Sequence, residues 1–237
     1  MRINKVTLTG ADDKTDIKLL QEIQKEYSFV EWGILISTKQ NENRYPSEDF
    51  IYELRNKGLN LALHVCGKHS RGIMQEGNVD PIIKYDWFNR YQINFNFEHT
   101  QHDIWNYINM VKKFTNKNFI LQDNSSNKKY INTILSTLDG LSARTQYHIR
   151  NNNTDVLYDS SGGRGTEIKS IQEPYLDVYT GYSGGLNPEN VESICEKLTN
   201  FSNDATVWID MESGVRTDDI FDLEKVVKVL DIVKNFI

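Results

Sequence analysis

Two periods of hydrophobic residues alternate along this chain. Short runs in which every second residue is apolar are separated by longer runs with apolar residues three and four apart. The first pattern predicts strands at Lys5–Gly10, Phe29–Ile36, Leu59–Cys66, Tyr91–Phe97, Asn118–Gln122, Asp155–Asp159, Asp177–Tyr182 and Thr206–Met211. The second predicts helices between them, as in Ile17, Leu20, Ile23 and Tyr27, or Ile104, Tyr107, Ile108 and Val111. Ser47 is placed to cap the second helix and Gly58 to end it, and Asn187-Pro188 marks a further helix start. Strand–helix alternation repeated eight times predicts an α/β fold of the (β/α)8 TIM-barrel class, with residues 1–237 forming one domain.

The phase of the alternation adds a second expectation. In the fourth strand Tyr91, Ile93, Phe95 and Phe97 alternate with Gln92, Asn94, Asn96 and Glu98; in the eighth, Val207, Ile209 and Met211 alternate with Trp208, Asp210 and Glu212. In a barrel the apolar sets pack on the helices and the polar sets point to the axis, toward a wet or ligand-filled mouth. Trp208 is expected to face that mouth. Two stretches fit the pattern poorly, Gly67 to about Pro81 and Leu141–Asn153, and read as long irregular loops of the kind that serve as lids.

Composition narrows the function. A charged fraction of 25%, a hydrophobic fraction of 38% and a net charge of −6 describe an ordinary globular chain. Its lysines are scattered over polar helix faces rather than gathered in a basic stripe, which speaks against nucleic acid as a partner. Met1–Asp16 lacks a long apolar core, so neither a signal peptide nor a membrane anchor is expected, and the cytoplasm is the expected address. Cys66 and Cys195 have no metal-ligand spacing, and no metal or cofactor is expected. The expected assembly is a monomer or a homodimer.

The chemistry-bearing residues cluster after the last three strands. Gly162, Gly163, Arg164 and Gly165 follow strand six, Gly184 and Gly185 follow strand seven, and Ser213 and Gly214 follow strand eight. Glycine lets backbone N–H groups approach an anion closely, and in barrels a phosphate is often held by the loops after strands seven and eight. The expected partner is a phosphorylated small molecule. Glu31, His64 and Asp210, all on inward-facing strand positions, are candidate acid–base groups.

These turns resemble those of the phosphoribosylanthranilate isomerase family. Asp159-Ser160-Ser161-Gly162-Gly163-Arg164-Gly165, Ser183-Gly184-Gly185-Leu186-Asn187-Pro188-Glu189-Asn190-Val191 and Asp210-Met211-Glu212-Ser213-Gly214-Val215 match the family's strand ends in order and spacing. Asn43-Arg44-Tyr45-Pro46-Ser47 is similar to its segment after strand two, and Thr7-Leu8-Thr9-Gly10 occupies the place of its strand-one motif. The resemblance implies an Amadori rearrangement of an aminoaldose phosphate, with Asp159 as general acid and Arg44 as a contact for a ligand carboxylate or second anion. Thr9 stands where the family has its catalytic cysteine, and a threonine hydroxyl is too weak an acid to supply an anionic base. The resemblance therefore implies a divergent branch that binds a phosphorylated sugar or nucleotide-type molecule. One reading is an isomerase or lyase acting on a sugar phosphate. The other is a non-catalytic protein that sequesters or senses a phosphorylated metabolite.

Overall fold

Eight strands form near the places where the alternation sets them: β1 (Arg2–Thr9), β2 (Val30–Ile36), β3 (Leu61–Val65), β4 (Arg90–Ile93), β5 (Asn118–Asp123), β6 (Thr154–Asp159), β7 (Thr180–Ser183) and β8 (Thr206–Met211). A computed structural model describes residues 1–39, 44–96, 104–144, 153–159, 168, 170–175 and 177–237, with the backbone alone at 141–144. Each strand pairs in parallel with the next, and β8 closes on β1 with Asp210 opposite Thr7 and Met211 opposite Leu8. The chain is a closed (β/α)8 barrel.

Helices α1 (Ile17–Glu26) and α2 (Glu48–Leu54) follow the first two strands, and their buried faces are Ile17, Leu20 and Ile23, and Phe50, Ile51 and Leu54. The Ser47 hydroxyl accepts the Phe50 N–H at 3.1 Å as its position predicts, although α2 ends at Leu54, four residues before Gly58. Helices α5 (Ile104–Lys113), α6 (Lys128–Arg144), α7 (Val191–Thr199) and α8 (Leu223–Val233) complete the outer ring. The main core lies between this ring and the outer faces of the strands, where Leu8, Ile34, Tyr91, Val207 and Ile209 are wholly buried. No helix among the described residues is long and apolar enough to cross a membrane.

Several boundaries depart from the sequence reading. Gly67 to Pro81 is not irregular: it folds into α3 (Gly67–Arg71), a π turn (Gly72–Glu76) and the start of α4 (Asp80–Lys84), and buries Ile73 and Met74. Strand β7 begins at Thr180, because Asp177 takes a left-handed backbone (φ 58°) and the Val178 N–H turns back to the Tyr175 carbonyl. After Gly185 the helix starts later than Asn187-Pro188 suggests. The Asn187 carboxamide accepts the N–H groups of Glu189 and Asn190, making a side-chain turn ahead of α7. Of the segment Leu141–Asn153, α6 takes the part to Arg144, and 145–152 lie outside the described residues.

A small hairpin between β8 and α8 has no counterpart in the periodic pattern. Strands β9 (Arg216–Thr217) and β10 (Ile220–Phe221) are joined by Asp218-Asp219, both at positive φ (51° and 59°), as a two-residue turn of the mirror-image type requires. Arg216 fastens the hairpin to β1, donating to the Gly10 carbonyl at 2.8 Å and lying 3.5 Å from Asp12. This places the Asp219 carboxylate above the barrel rim.

The barrel axis is ionic at its floor. Glu31 accepts from Lys5 at 3.0 Å, from the Thr7 hydroxyl at 2.9 Å and from Arg90 at 2.5 Å. Arg90 also reaches Asp155 at 3.2 Å, and its guanidinium lies over Trp208, 4.5 Å from the ring centroid. Trp208 is therefore a correction to the sequence reading. It points to the axis, as the alternation requires, but packs in the floor with Ile120 and Leu157, wholly buried and away from the mouth.

Candidate functional site

Above this floor, at the carboxyl ends of the strands, a cavity of about 300 Å³ opens, within the size range of small-ligand sites. Its walls are Arg44, His64, Gln92, Asn94, Gln122, Leu157, Asp159, Ser183 to Leu186 and Asp210 to Ser213. Of the candidate acid–base residues, His64, Asp159 and Asp210 meet here. Glu31 does not: it sits in the floor, where Arg90 and Lys5 hold its carboxyl below the usual carboxylate range despite burial, so it stays ionised and engaged.

Thr9 lies one layer beneath the cavity rather than lining it. Its hydroxyl donates to Asp210 Oδ1 at 3.4 Å, which orients that carboxyl. Gly33, opposite Thr9 in β2, makes this arrangement possible. A Cβ on Gly33 would come within 2.1 Å of Thr9 Oγ1 and 3.0 Å of His64 Nε2, so only glycine lets β1 and β3 present these side chains together.

His64 and Asp210 are buried, with 2% and 5% of their surfaces exposed, and Nε2 and Oδ2 stand 3.9 Å apart. That separation is too long for a hydrogen bond, and both atoms lack a partner, as does Gln92 Oε1. Burial lowers the His64 imidazole to about 4. Asp210 is raised well above the usual carboxylate range, first by burial and then by Glu212 and Glu31. At neutral pH the imidazole is uncharged, and it stands beside a carboxyl whose protonated form is favoured by burial.

This has a measurable consequence. Unfolded His64 takes up a proton near its ordinary value of 6.5, which the folded site refuses until about 4, so its contribution to stability is full above 6.5 and falls as the pH drops through that window. The displacement is worth about 3 kcal/mol at its low end. Asp210 acts with the opposite sign, its contribution being lost as pH rises above 3.8 toward its raised folded value. Urea unfolding of His64→Gln against the parent protein is expected to show the variant gaining relative stability by that amount between pH 6.5 and 4. A pH-independent difference would contradict the assignment.

The loops after β7 and β8 converge on the cavity. Gly184 and Gly185 both have positive φ (123° and 59°), and a Cβ on Gly214 would lie 1.8 Å from the Leu186 carbonyl oxygen. The N–H groups of Gly184, Gly185 and Gly214 donate to no other backbone group among the described residues. Because the obstacle at Gly214 is backbone, Gly214→Ala is expected to push the two loops apart and to cost about 1–3 kcal/mol in a thermal or urea melt. Parental stability would mean that the loops are not in contact. The third turn, Gly162, Gly163, Arg164 and Gly165, lies outside the described residues.

Arg44, on a left-handed backbone (φ 67°), reaches the rim of the cavity but is already engaged. Its guanidinium binds Glu212 at 2.9 Å and Asp219 at 2.6 Å. Asp219 comes from the hairpin that periodicity missed; the adjacent aspartates at 218 and 219 were the available signal. Gln92 and Asn94 were legible only as inward polar positions of the fourth strand, and Gln122 was not singled out. Cys66 carries no reactive thiolate, since burial pushes its thiol up to about 12, outweighing the opposite effect of Asn94, which donates to its sulfur at 3.3 Å. No group of three metal-binding side chains forms among the described residues.

Fold and site together define an α/β barrel with a cavity lined by titratable side chains at the carboxyl ends of its strands. The family model for N-(5'-phosphoribosyl)anthranilate (PRA) isomerase matches residues 112–232, just over half of the chain, and the chain belongs to that family. Among solved structures it is similar to N-(5'-phosphoribosyl)anthranilate isomerase from Pyrococcus furiosus, with a TM-score of 0.55 and 16% identity over 98% of each chain. It is also similar to the mutually generated monomers of the dimeric phosphoribosylanthranilate isomerase from Thermotoga maritima, with a TM-score of 0.60 and 19% identity over 97% of this chain and 98% of that one. Likeness at such identity is one of fold. No curated protein matches the chain.

Proposed function

We propose that the mouth cavity binds the phosphate ester of a sugar or nucleotide-type molecule and that the chain isomerises or cleaves it by acid–base chemistry. The observation that carries this reading is the set of three buried, unpartnered polar atoms, His64 Nε2, Gln92 Oε1 and Asp210 Oδ2, on residues lining one cavity. Buried polar groups without partners are costly, and a polar ligand in the cavity would supply the missing hydrogen bonds. The free N–H groups of Gly184, Gly185 and Gly214 suit an oxyanion at the rim.

Isomerisation of an aldose or aminoaldose phosphate needs an acid that protonates the ring oxygen as its bond to the anomeric carbon breaks. It also needs a base that removes the proton from the adjacent carbon. In this proposal Asp159, at the end of β6, is the acid. His64 is the base, because its imidazole is uncharged at neutral pH and its Nε2 is unpartnered, although burial makes it a weak one; Asp210 beside it, whose protonated form burial favours, can return the proton. Thr9 positions Asp210 and takes no proton. No anthranilate isomerisation is expected from a site in which Thr9 replaces the family's cysteine.

Incubation with ribose 5-phosphate and its arylamine adducts in heavy water tests the reading. The expected product is a ketose phosphate carrying deuterium at the carbon next to the carbonyl. The threonine at position 9 favours the second reading, non-catalytic sequestration, which predicts tight binding and recovery of unchanged, deuterium-free ligand. Absence of both binding and exchange would sink both.

A further inference from the structure

We infer that the end of the ligand remote from its phosphate is a neutral, hydroxyl-rich sugar skeleton rather than an aromatic carboxylate, and that Glu212 and Asp219 set this specificity by occupying the Arg44 fork. The inference rests on the phosphate-binding reading and names the substrate class for the same site.

Three features of the cavity carry it. A planar guanidinium presents its paired N–H groups to one carboxylate fork at a time, and in Arg44 one terminal nitrogen binds Glu212 while the other binds Asp219. Among the described residues lining the cavity, Arg44 is the sole cation, against the carboxyl groups of Asp159, Asp210 and Glu212. A ligand carboxylate would have to displace two protein carboxylates and then lie beside them, unpaired.

The rest of the lining is suited to hydroxyl groups. Gln92, Asn94 and Gln122 offer carboxamides, which both donate and accept, and Ser183 and Ser213 offer hydroxyls. No aromatic ring lines the cavity among the described residues, so an aryl group finds no face on which to stack. The apolar lining is limited to Leu157, Leu186 and Met211.

Calorimetric titration of the whole protein separates the possibilities with four probes: inorganic phosphate, ribitol 5-phosphate, and the reduced adducts of ribose 5-phosphate with aniline and with anthranilate. The last two differ by one carboxylate. Ribitol 5-phosphate is expected to bind about tenfold or more tighter than inorganic phosphate, and the anthranilate adduct more weakly than the aniline adduct. In the Glu212→Gln, Asp219→Asn double variant, which frees Arg44, the order of the two adducts is expected to reverse. An anthranilate adduct that binds the parent protein more tightly than the aniline adduct would overturn the inference while leaving the phosphate grip standing. If inorganic phosphate and all three esters fail to bind, the grip itself is wrong and the inference falls with it.

Discussion

Replacing Arg90 by Met is expected to destabilise the folded protein by about 3–5 kcal/mol, the range found when one partner of a buried ion pair is removed. Arg90 is 5% exposed and bridges Glu31 and Asp155 across the barrel floor. Without it Glu31 keeps Lys5, but Asp155 loses its direct ion-pair partner among the described residues. Burial already raises the Asp155 carboxyl, so the variant's Asp155 will take up a proton more readily still. The loss should therefore be larger at pH 7 than at pH 5, where protonation removes the uncompensated charge. Lys5→Met should cost less, because the Lys5 side chain is 27% exposed and Arg90 continues to neutralise Glu31. Equilibrium urea unfolding at the two pH values checks both variants. A loss below about 1 kcal/mol for Arg90→Met would mean that the floor network is not a structural element.

Asp159→Asn is expected to reduce deuterium exchange and product formation by about 10²–10⁴-fold, the usual contribution of a positioned general acid. The side chain is nearly isosteric, and Gln122 Nε2, now 3.5 Å from Asp159 Oδ2, can still donate to the carboxamide oxygen. Binding of ribitol 5-phosphate should change little. That split separates a chemical role from a structural one: turnover near the parental rate would remove Asp159 from the reaction, whereas equal losses in binding and turnover would make it a ligand contact.

Much of the architecture was legible before any coordinates. The alternation in the fourth strand was enough to assign Gln92 and Asn94 to the axis and Tyr91 and Ile93 to the helix layer, and both assignments agree with the barrel. The glycine turns after β7 and β8 were recognisable because a backbone at positive φ, or pressed against a neighbouring carbonyl, leaves few alternatives to glycine. His64 and Asp210 were candidates from their strand positions together with the threonine at position 9, which left the base unassigned.

What stayed hidden depended on depth and on distant partners. Period-two alternation tells which face a residue takes, but not how far along the axis it lies, because closure staggers the strands. That is why Trp208 was expected at the mouth and is found in the floor, and why Glu31 was a candidate base and is found beneath the cavity. Arg44 meets Asp219 across 175 residues, and Arg90 meets Asp155 across 65. No local pattern encodes such pairings. The chain's own order determined the eight-fold repeat, the polar lining of the axis and the glycine turns, since these follow from backbone sterics and the hydrophobic effect acting over a few residues. Only the closed barrel decided which carboxylates are paired with a cation, which are pushed toward their protonated form by burial and which arginines are engaged, because charge state depends on neighbours brought together by folding.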